Sequence, residues 1–400
     1  MIPKLAFRNV LRQKRRTVLT VLTMFGGFTL SSIGIGWADG SYNQVIEMFT
    51  GSHTGQVQVH APDYLDDPSL YKTIDDTTSV VRALQATAGV RGWAPRIYAS
   101  GLLSAGAASA GASIRGVSPA AETEYLALDG QLVEGSMLES DGQMLLGNVL
   151  ARRLDASVGD SVVILSGAAD GSIANDRYVV AGLVESGDPT ADRSTCYLTL
   201  AGAATLFRLE GRVHEVAVIC TSLDMTRPVA ESLSRRLPDL DVLPWQEFAE
   251  EFYRAMKADM QGLWISIFIV VLVASASVLN TVLMSVLERR REYGVLRAIG
   301  TSPRTIVSMI MLEALIQAAV AIAAGLVVST IALDVLSSHG LSFSEPLTYG
   351  GVQFAEMRAQ ITPRSLWLPA GVVAATALLV SIPPALKAAR ISPARAMRNV

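Results

Sequence analysis

Four long blocks of mostly apolar residues, separated by polar sequence, dominate the pattern of this chain. Each block is long enough to cross a bilayer core of about 30 Å, which needs about 20 helical residues. We predict membrane-spanning helices at residues 17–38, 263–287, 303–336 and 365–386. The polar stretch at residues 39–262 is too long for a loop, so it must be a folded domain.

The polar stretch carries the mixed signals of an α+β domain. Residues 56–60 alternate apolar and polar side chains as a half-buried strand does. Further strands are predicted at residues 162–165, 178–184, 195–200 and 215–221, and helices at 76–88 and 228–237. The small-residue segment at 104–113 is predicted to be a flexible hairpin or loop. The predicted fold class is therefore a membrane protein of four transmembrane α-helices with a large α+β exported domain between helices 1 and 2.

The sequence that leads into the second block predicts a long stalk helix. No proline interrupts residues 245–291, and large apolar side chains recur there at about helical spacing: Trp245, Phe248, Phe252, Met256 and Met260. A single helix of this length would reach about 70 Å, with Gly262 as the place where it could bend. Such a rigid rod would be a mechanical connector.

The first block contains small residues at a spacing that favours helix packing. Gly27 and Ser31, and likewise Ser32 and Gly36, are four residues apart. This spacing lets membrane helices approach closely, so we predict a packing face here. The block is longer than the apolar core of about 7–15 residues in a cleaved signal peptide, which favours a retained anchor.

Charge is distributed unevenly and gives the orientation. Only 17% of residues are charged, against about 25% in soluble domains. The cations cluster in three flanking segments, at residues 1–16, 288–302 and 387–400, and the positive-inside rule assigns all three to the cytoplasm. Residues 39–262 hold 30 Asp and Glu against 16 Lys and Arg, a net charge of about −14, and are predicted to be exported. Residues 337–364 become a short external loop.

The N-terminal segment, residues 1–16, is predicted to be an amphipathic helix at the inner membrane surface. Its six cations can meet anionic headgroups, so membrane lipids are expected partners. Its apolar side would be formed by Ile2, Leu5, Phe7, Val10 and Leu11.

The stretch "LERRREYGVLRAIGTSPRTI" predicts a short cytoplasmic helix between the second and third spans. Glu288 and Glu292 are four residues apart and would share a helix face. Gly300 fits the position that ends a helix. Thr301 or Ser302 can cap the next helix. The apolar edge, formed by Val295, Leu296 and Ile299, would suit the groove of another protein.

The same stretch carries a resemblance that extends over nearly the whole chain. "SVLNTVLMSVLERRREYGVLRAIGTSPRTI" resembles the signature segment of the FtsX-like permeases, the MacB, LolC/LolE and FtsX superfamily of ABC transporter membrane subunits. "LAFRNVLRQKRRTVLTVL" and "PPALKAARISPARAMR" are similar to the N-terminal and C-terminal segments of the family. "IRGVSPAAETEYLALDGQLVEGSML" and "MLLGNVLARRLDASVGDSVVIL" resemble the exported domain of its LolC/LolE-type and MacB-type members.

The resemblance implies a two-part periplasmic domain and mechanotransmission, in which ATP-driven closure moves the external domains. It implies a second permease protomer, identical or a sister subunit, and a dimer of ATPase subunits that holds ATP and Mg. It places the protein in the bacterial inner membrane, with both termini cytoplasmic and the large domain periplasmic. The implied ATPase-coupling segment comprises Glu288, Arg289, Arg290, Arg291, Glu292, Tyr293, Gly294, Val295, Leu296, Arg297, Ala298, Ile299 and Gly300.

Catalytic and metal-binding signatures are missing from the sequence. No G-x-x-x-x-G-K-[ST] loop occurs, so the ATPase is expected on a separate polypeptide, and this chain is expected to be neither an enzyme nor a cofactor protein. Nucleic-acid binding is not expected, since the basic residues are those that set topology. Four scattered histidines, predicted to be surface or loop residues and not metal ligands, are His53, His60, His214 and His339.

Three polar residues fall within the predicted spans. Glu313 and Gln317 are four apart and would face the same way, and such groups are costly in a membrane unless paired. Pairing of Glu313 with Asn280 or Thr281, or a position near the interface, is favoured over transport chemistry. Spans one and two would line a groove for acyl chains. Its candidate residues, chosen by location alone, are Phe25, Phe28, Leu30, Ile33, Ile267 and Val271.

Two cysteines, Cys196 and Cys220, lie in the exported domain. An oxidising compartment permits a disulfide between them, and two buried thiols on neighbouring strands are the equal alternative.

The LolC/LolE-like organisation predicts a permease that extracts lipoprotein or other lipidic cargo from the inner membrane. A periplasmic carrier or adaptor is a further candidate partner. The alternatives are a MacB-like efflux or peptide-export permease and an FtsX-like signalling protein that activates a cell-wall hydrolase. The large exported domain argues against signalling, because FtsX-like proteins usually have a much smaller one.

Overall fold

A computed structural model describes residues 6, 8–10, 12, 14–349 and 352–391. The chain divides into two compact units. The helical unit comprises residues 1–42, 256–342 and 356–400, and the sheet unit comprises residues 43–255 and 343–355. The predicted apolar positions Ile2, Leu5, Phe7 and Leu11 lie outside the described residues, as do residues 392–400.

The helices are α1 Lys14–Phe49, α2 Thr77–Gln85, α3 Pro119–Leu126, α4 Asn148–Leu154, α5 Pro189–Ser194, α6 Leu200–Phe207, α7 Thr226–Arg236, α8 Trp245–Phe248, α9 Glu250–Glu288, α10 Arg290–Ala298, α11 Pro303–His339 and α12 Pro363–Ala389. The strands are β1 Val57–His60, β2 Val90–Ala105, β3 Ala108–Val117, β4 Leu132–Gly135, β5 Gln143–Gly147, β6 Ser161–Gly167, β7 Ile173–Val184, β8 Thr195–Thr199, β9 Glu215–Cys220, β10 Asp241–Pro244, β11 Leu341–Tyr349 and β12 Val352–Met357.

Four helices are long and apolar enough to cross a membrane: α1 with 36 residues, α9 with 39, α11 with 37 and α12 with 27. The polar α+β domain lies between the first and second of them, which confirms the predicted fold class. Each of these four helices contributes to one buried cluster, which contains Met24, Val278, Ala318, Ala321 and Ala377. Small side chains predominate in it because they let the helix backbones come close together.

Two glycines of α1 lie at contacts with neighbouring helices. A Cβ added at Gly27 would lie 3.4 Å from the Cβ of Ala274 on α9. A Cβ at Gly36 would lie only 2.6 Å from a methyl carbon of Leu333 on α11, so a larger residue does not fit there. The small residues of the first span are therefore confirmed at helix contacts, although Gly27 faces α9 and Gly36 faces α11, so they do not share one packing face.

The helix that contains the second span is shorter than predicted. The predicted rod from 245 to 291 is interrupted at Ala249, which has φ −111° and ψ 47°, and again at Arg289. Between these breaks α9 runs without interruption through Gly262, and 39 residues rise about 58 Å. The predicted single helix is wrong at both ends, and Gly262 is not the place of the bend.

The sheet unit is built on one branched sheet in the order β10-β1-β9-β2-β3-β8-β5-β7-β4. The branch arises on β2, a strand of 16 residues. One edge of β2 pairs with β9 at residues 90–96 and with β6 at residues 102–104. Two lobes therefore share the β2–β3 pair, and the predicted strands at 162–165, 178–184, 195–200 and 215–221 are confirmed within them.

The segment at 104–113 is a β-hairpin. β2 pairs with β3 through Ser104–Ser109 and Ala105–Ala108, and Gly106 turns the chain with φ +56°. The hairpin alternative is confirmed, and the loop alternative is wrong. The predicted external loop at 337–364 likewise contains the paired strands β11 and β12.

The two cysteines are free and buried. Cys196 lies on β8 and Cys220 on β9, which β2 and β3 separate in the sheet. Strands lie about 4.8 Å apart, so three such steps exceed the Cα separation of about 7 Å that a disulfide tolerates. The possible Cys196–Cys220 disulfide is wrong, and the alternative of two buried thiols is confirmed, although their strands are not neighbours. Burial raises the pKa of each thiol to about 12.

Candidate functional site

The short helix α10 between α9 and α11 has well-defined ends. Arg289, with φ −93° and ψ 16°, leaves helical geometry and separates α9 from α10. At the other end Gly300 takes φ +94°, its N–H donates to the Arg297 carbonyl, and the Thr301 N–H donates to the Leu296 carbonyl. These two bonds form a Schellman motif, so the predicted role of Gly300 is confirmed.

The next helix begins immediately afterwards. Ser302 is the N-cap of α11, its hydroxyl accepts the Thr305 N–H, and Pro303 occupies the first turn. The turn between α10 and α11 is therefore tight, with little backbone freedom on either side.

The inner side of α10 packs into the helical unit. Tyr293 and Gly294 are buried on it. Burial raises the pKa of the Tyr293 hydroxyl, since the ring lies in a cluster of apolar side chains. That cluster contains Ala6, Val286, Ile306, Met309, Ile310, Ala385 and Ala388. The helix is thus anchored against residues near the N-terminus and on α9, α11 and α12.

The outer side of α10 exposes an apolar edge. Val295 is 51% exposed and Ile299 is 74% exposed. The sequence predicts Leu296 on this edge, but Leu296 is half-buried and packs against the inner cluster. Arg290, Arg291 and Ala298 are exposed, and Arg297 donates to the Thr301 carbonyl at 3.3 Å. A helix held on one side and apolar on the other is suited to contact a second protein.

Arg289 turns inward and joins α10 to α11. Its Nη1 lies 3.1 Å from both carboxylate oxygens of Glu313, and its Nε donates to Glu292 at 2.9 Å. The guanidinium also lies 5.2 Å from the centre of the Tyr293 ring. Asn9 Nδ2 donates to Glu313 at 2.6 Å, so Glu313 receives hydrogen bonds from two directions.

The predicted hydrogen-bond partners of Glu313 are therefore wrong. Neither Asn280 nor Thr281 bonds to it among the described residues, and Asn280 is exposed. Asn9 lies in the basic N-terminal segment, and the sequence assigns Arg289 to the topology signal and to the implied coupling segment, not to an ion pair within the spans. The sequence offers no spacing rule that would pair either of them with a residue so far along the chain.

The N-terminal segment makes two further ion pairs with this region. Arg12 Nη1 lies 3.3 Å from Glu292, and Arg16 pairs with Glu288. Glu288 ends α9 whereas Glu292 lies on α10, so the prediction that they share one helix face is wrong. The four charged groups instead connect the N-terminal segment to both helices.

A small polar cavity of about 30 Å³ adjoins this network. Gln317 and Glu313 both line it, which confirms that they face the same way. Arg16, Thr17 and Thr281 are also in its lining. A volume of this size holds about one or two waters. The cavity therefore permits hydration of the polar groups within the spans.

The six candidate groove residues have unequal positions. Phe28 is fully buried against α11, where an added Cβ at Gly325 would collide with its ring, so its assignment to a groove is wrong. Leu30 is 64% exposed. Val271 lines an apolar cavity of about 20 Å³ next to Gly27. Phe25, Ile33 and Ile267 are half-buried.

Two histidines are buried in the sheet unit: His60 lies on β1, contrary to the prediction of a surface or loop position, and His214 lies in the loop directly before β9. His214 Nδ1 accepts the Tyr98 N–H at 3.0 Å, and its Nε2 lies 3.2 Å from the Leu70 carbonyl. His60 Nδ1 lies 3.1 Å from the His214 carbonyl. Burial lowers the pKa of both imidazoles. No group of three potential metal ligands occurs among the described residues.

Buried charges surround these histidines. Arg96 donates to both oxygens of Glu122, at 2.7 and 2.9 Å, and to Glu215 at 3.1 Å. Tyr98 donates its hydroxyl to the same Glu215 oxygen at 3.0 Å. This network crosses β2 and β9 and has structural partners throughout, so it is not a candidate catalytic site.

Comparison with known proteins agrees with the architecture of four membrane helices and an inserted β-rich domain. The FtsX-like permease C-terminal family matches residues 264–393, and the MacB-like periplasmic core domain matches residues 17–236. The second match alone covers more than half of the chain. The chain belongs to the FtsX-like ABC transporter permeases of the LolC/LolE and MacB type, and members of this family are membrane subunits, not enzymes.

Several relatives are similar over most of the chain. The lipoprotein-releasing system transmembrane protein LolC of Xylella fastidiosa is 27% identical, over 77% of this chain and 78% of its own length. LolE of Haemophilus influenzae is 22% identical over 82% of both chains. The ABC transporter permease protein Rv0987 of Mycobacterium tuberculosis is 22% identical, over 71% of this chain and 33% of its own length.

Solved structures of exported domains are also similar to part of the chain. The periplasmic region of MacB from Actinobacillus actinomycetemcomitans is 15% identical with a TM-score of 0.38, covering 52% of this chain and 98% of that one. The extracellular domain of YknZ from Gram-positive bacteria is 14% identical with a TM-score of 0.35, covering 47% and 98%.

Proposed function

We propose that this permease couples ATP hydrolysis by a separate ATPase subunit to movement of its exported domain, and that it extracts lipoprotein or other lipidic cargo from the inner membrane. ATP and Mg would be held by the ATPase. A second permease protomer, identical or related, would complete the membrane assembly. In the proposed orientation α10 lies in the cytoplasm and the sheet unit in the periplasm.

The observation that supports coupling most strongly is the construction of α10. Val295 and Ile299 offer an apolar surface to a partner, while Arg289, Tyr293 and Gly294 hold the opposite side. A displacement of α10 would be transmitted to α11 through the Arg289–Glu313 ion pair. It would reach the N-terminal segment through Glu292 and Arg12. Exposed apolar residues on a firmly anchored helix favour a docking role over a pure topology signal.

The cargo assignment is supported by the relatives. LolC of Xylella fastidiosa and LolE of Haemophilus influenzae are transmembrane proteins of lipoprotein-releasing systems, and they are similar over more than three quarters of this chain. The four apolar helices supply lipid-facing surface, since Leu30, Phe268 and Leu272 are all more than half exposed. Acyl chains could lie against such surface without entering water.

Reconstitution of the permease with its ATPase in proteoliposomes tests the proposal. We expect ATP-dependent release of an acylated lipoprotein to a soluble acceptor. Introducing Val295→Asp and Ile299→Asp together should abolish the stimulation of ATPase activity by the permease. Ile173→Asp is the matched control, because Ile173 on β7 is 76% exposed, similar to Ile299. Lipoprotein that stays in the lipid fraction despite coupled hydrolysis would refute the cargo assignment.

A MacB-like export function is the second candidate, and the match of residues 17–236 to the MacB-like periplasmic core domain favours it. It shares the coupling step and differs in cargo. The same proteoliposomes should then translocate a peptide or a small amphipathic compound and leave lipoprotein in place. The two functions are thus separated by which substrate moves.

A further inference from the structure

The sheet unit contains an open groove with an apolar floor. It forms where the end of α1, the strand β10, the short helix α8 and the first turn of α9 come together, and its volume is about 1160 Å³. The floor consists of Phe49, Leu65, Leu243, Phe248 and Phe252. This volume exceeds the roughly 300–1,000 Å³ of ordinary small-molecule sites, so the groove is suited to a longer ligand.

The walls of the groove are acidic. Its lining contains Asp63, Asp66, Asp241, Glu247, Glu250 and Glu251 and, among the described residues that form it, no Lys, Arg or His. Glu250 is paired with Arg254 at 2.5 Å, and Asp241 accepts the Asp63 N–H at 2.8 Å. Like charges around a shared groove repel one another, and a cationic occupant would relieve that repulsion.

The floor is held in place by aromatic packing. The rings of Phe49 and Phe252 stack with their centres 4.4 Å apart, and Trp245 meets Phe252 edge-on at 6.0 Å. The helix break at Ala249 separates α8 from α9, and Phe248 is half-buried beside the groove. The groove is therefore formed before any ligand arrives, which lowers the entropic cost of binding.

A metal ion and a basic segment of this chain are both poor candidates for the occupant of this groove. The described residues contain no group of three carboxylate, imidazole or thiol ligands arranged for a metal ion. The basic segments of this chain, at residues 1–16, 288–302 and 387–400, would be cytoplasmic in the proposed orientation and could not reach an exported groove. The occupant must then be another molecule that combines positive charge with apolar surface.

We propose that this groove binds an extended polypeptide segment of an exported partner, in which Lys or Arg side chains are interspersed with apolar ones. The apolar side chains would contact the phenylalanine floor, and the cations would meet the carboxylates of the wall. Charge complementarity of this kind contributes to the association rate and to discrimination between partners. The proposal adds a partner chemistry to the proposed function and does not depend on ATP hydrolysis.

Binding of synthetic peptides to the full-length protein in zwitterionic nanodiscs tests this proposal without any ATPase. The first probe is a peptide of about 12 residues with lysines and leucines separated by serines, which spans roughly 40 Å when extended. Two matched peptides replace the lysines by glutamates or the leucines by serines. Fluorescence anisotropy, corrected with empty nanodiscs, should show binding of the first probe only, and the binding should weaken as salt rises.

Protein variants assign the binding to the groove. The triple variant Asp66→Asn, Glu247→Gln and Glu251→Gln removes three exposed carboxylates of the wall and should weaken binding at least about tenfold. The control triple variant, Glu210→Gln, Asp224→Asn and Glu231→Gln, removes equal charge from exposed positions outside the groove and should change it little. Equal losses in both variants, binding of the leucine-free peptide, or no binding of the first probe would overturn the proposal.

Discussion

Arg289 and Glu313 form an ion pair in which one guanidinium nitrogen, Nη1, lies 3.1 Å from each carboxylate oxygen. Both side chains are largely buried, at 9% and 13% exposure. The pair connects the residue between α9 and α10 to the third turn of α11, and Asn9 and Glu292 complete its hydrogen bonds. A cation that membrane topology alone would leave in solvent is instead part of the interior of the helical unit.

Loss of one partner of this ion pair should be costly. Arg289→Met leaves the Glu313 carboxylate buried without its guanidinium, which we expect to cost about 3 kcal/mol of the free energy of unfolding. Thermal unfolding in detergent measures the loss. Arg290→Met is the matched control, since Arg290 is the next residue along the chain and is exposed. The double variant Arg289→Met, Glu313→Gln should recover part of the stability, and a strictly additive double variant would show that the two residues are not coupled.

Two glycines should respond to substitution with opposite signs. Gly300 has φ +94°, where a branched L side chain is strained, so Gly300→Val should lower stability by about 1 kcal/mol or more and disturb α10. Gly262 is inside α9, with nothing within 4 Å of an added Cβ. Gly262→Ala should therefore raise stability by up to about 1 kcal/mol. A lower melting temperature for Gly262→Ala would mean that α9 needs to bend there.

Hydropathy and turn chemistry account for the part of the fold that could be predicted. The four spans follow from uninterrupted apolar sequence, and the end of α10 follows from the glycine at 300 and the Ser302–Pro303 pair. The breaks at Ala249 and Arg289 had no such signal, because neither is a glycine or proline. Tertiary contacts determine them: Trp245 is buried against the aromatic rings of α9, and Arg289 turns toward Glu313.

The sequence predicts the position of the candidate site but not the contacts that hold it in place. The exposed edge at Val295 and Ile299 follows from the local pattern of one helix. Glu313 instead depends on Asn9 and Arg289, which lie 304 and 24 residues away along the chain. The buried histidines have the same explanation, since His214 obtains its partners from Leu70 and Tyr98 on other segments. Contacts of this kind arise only when the fold is complete.

The two cysteines should behave as inert thiols. Both are buried, and burial raises their pKa to about 12, so little thiolate exists near neutral pH. We expect the native protein to react slowly with an alkylating reagent and the denatured protein to react at two sites without prior reduction. Mass spectrometry of the alkylated peptides measures this. A Cys196–Cys220 peptide recovered from the untreated membrane protein would contradict the structure.

Stability of the sheet unit should fall as the pH drops below about 6.5. Burial lowers the pKa of His214 in the folded state, so the unfolded chain, with a pKa near 6.5, binds its proton first. The stabilising contribution is therefore present above about pH 6.5 and is lost as the pH falls through that value toward the folded pKa. The structural reason is direct: Nδ1 accepts the Tyr98 N–H, and a protonated ring could not.

His214→Gln isolates this effect, because a glutamine amide can accept the Tyr98 N–H, donate to the Leu70 carbonyl and remain neutral. Hydrogen exchange of peptides from β2 and β9, corrected for the intrinsic pH dependence of amide exchange, should show the wild-type strands opening more readily at low pH. In the variant, strand opening should depend less on pH. The remaining pH dependence would come from His60, because burial lowers the pKa of His60 in the same way. His339→Gln, at the end of α11, should leave the dependence unchanged. Identical pH profiles for the wild type and His214→Gln would assign the effect to other groups in the buried network.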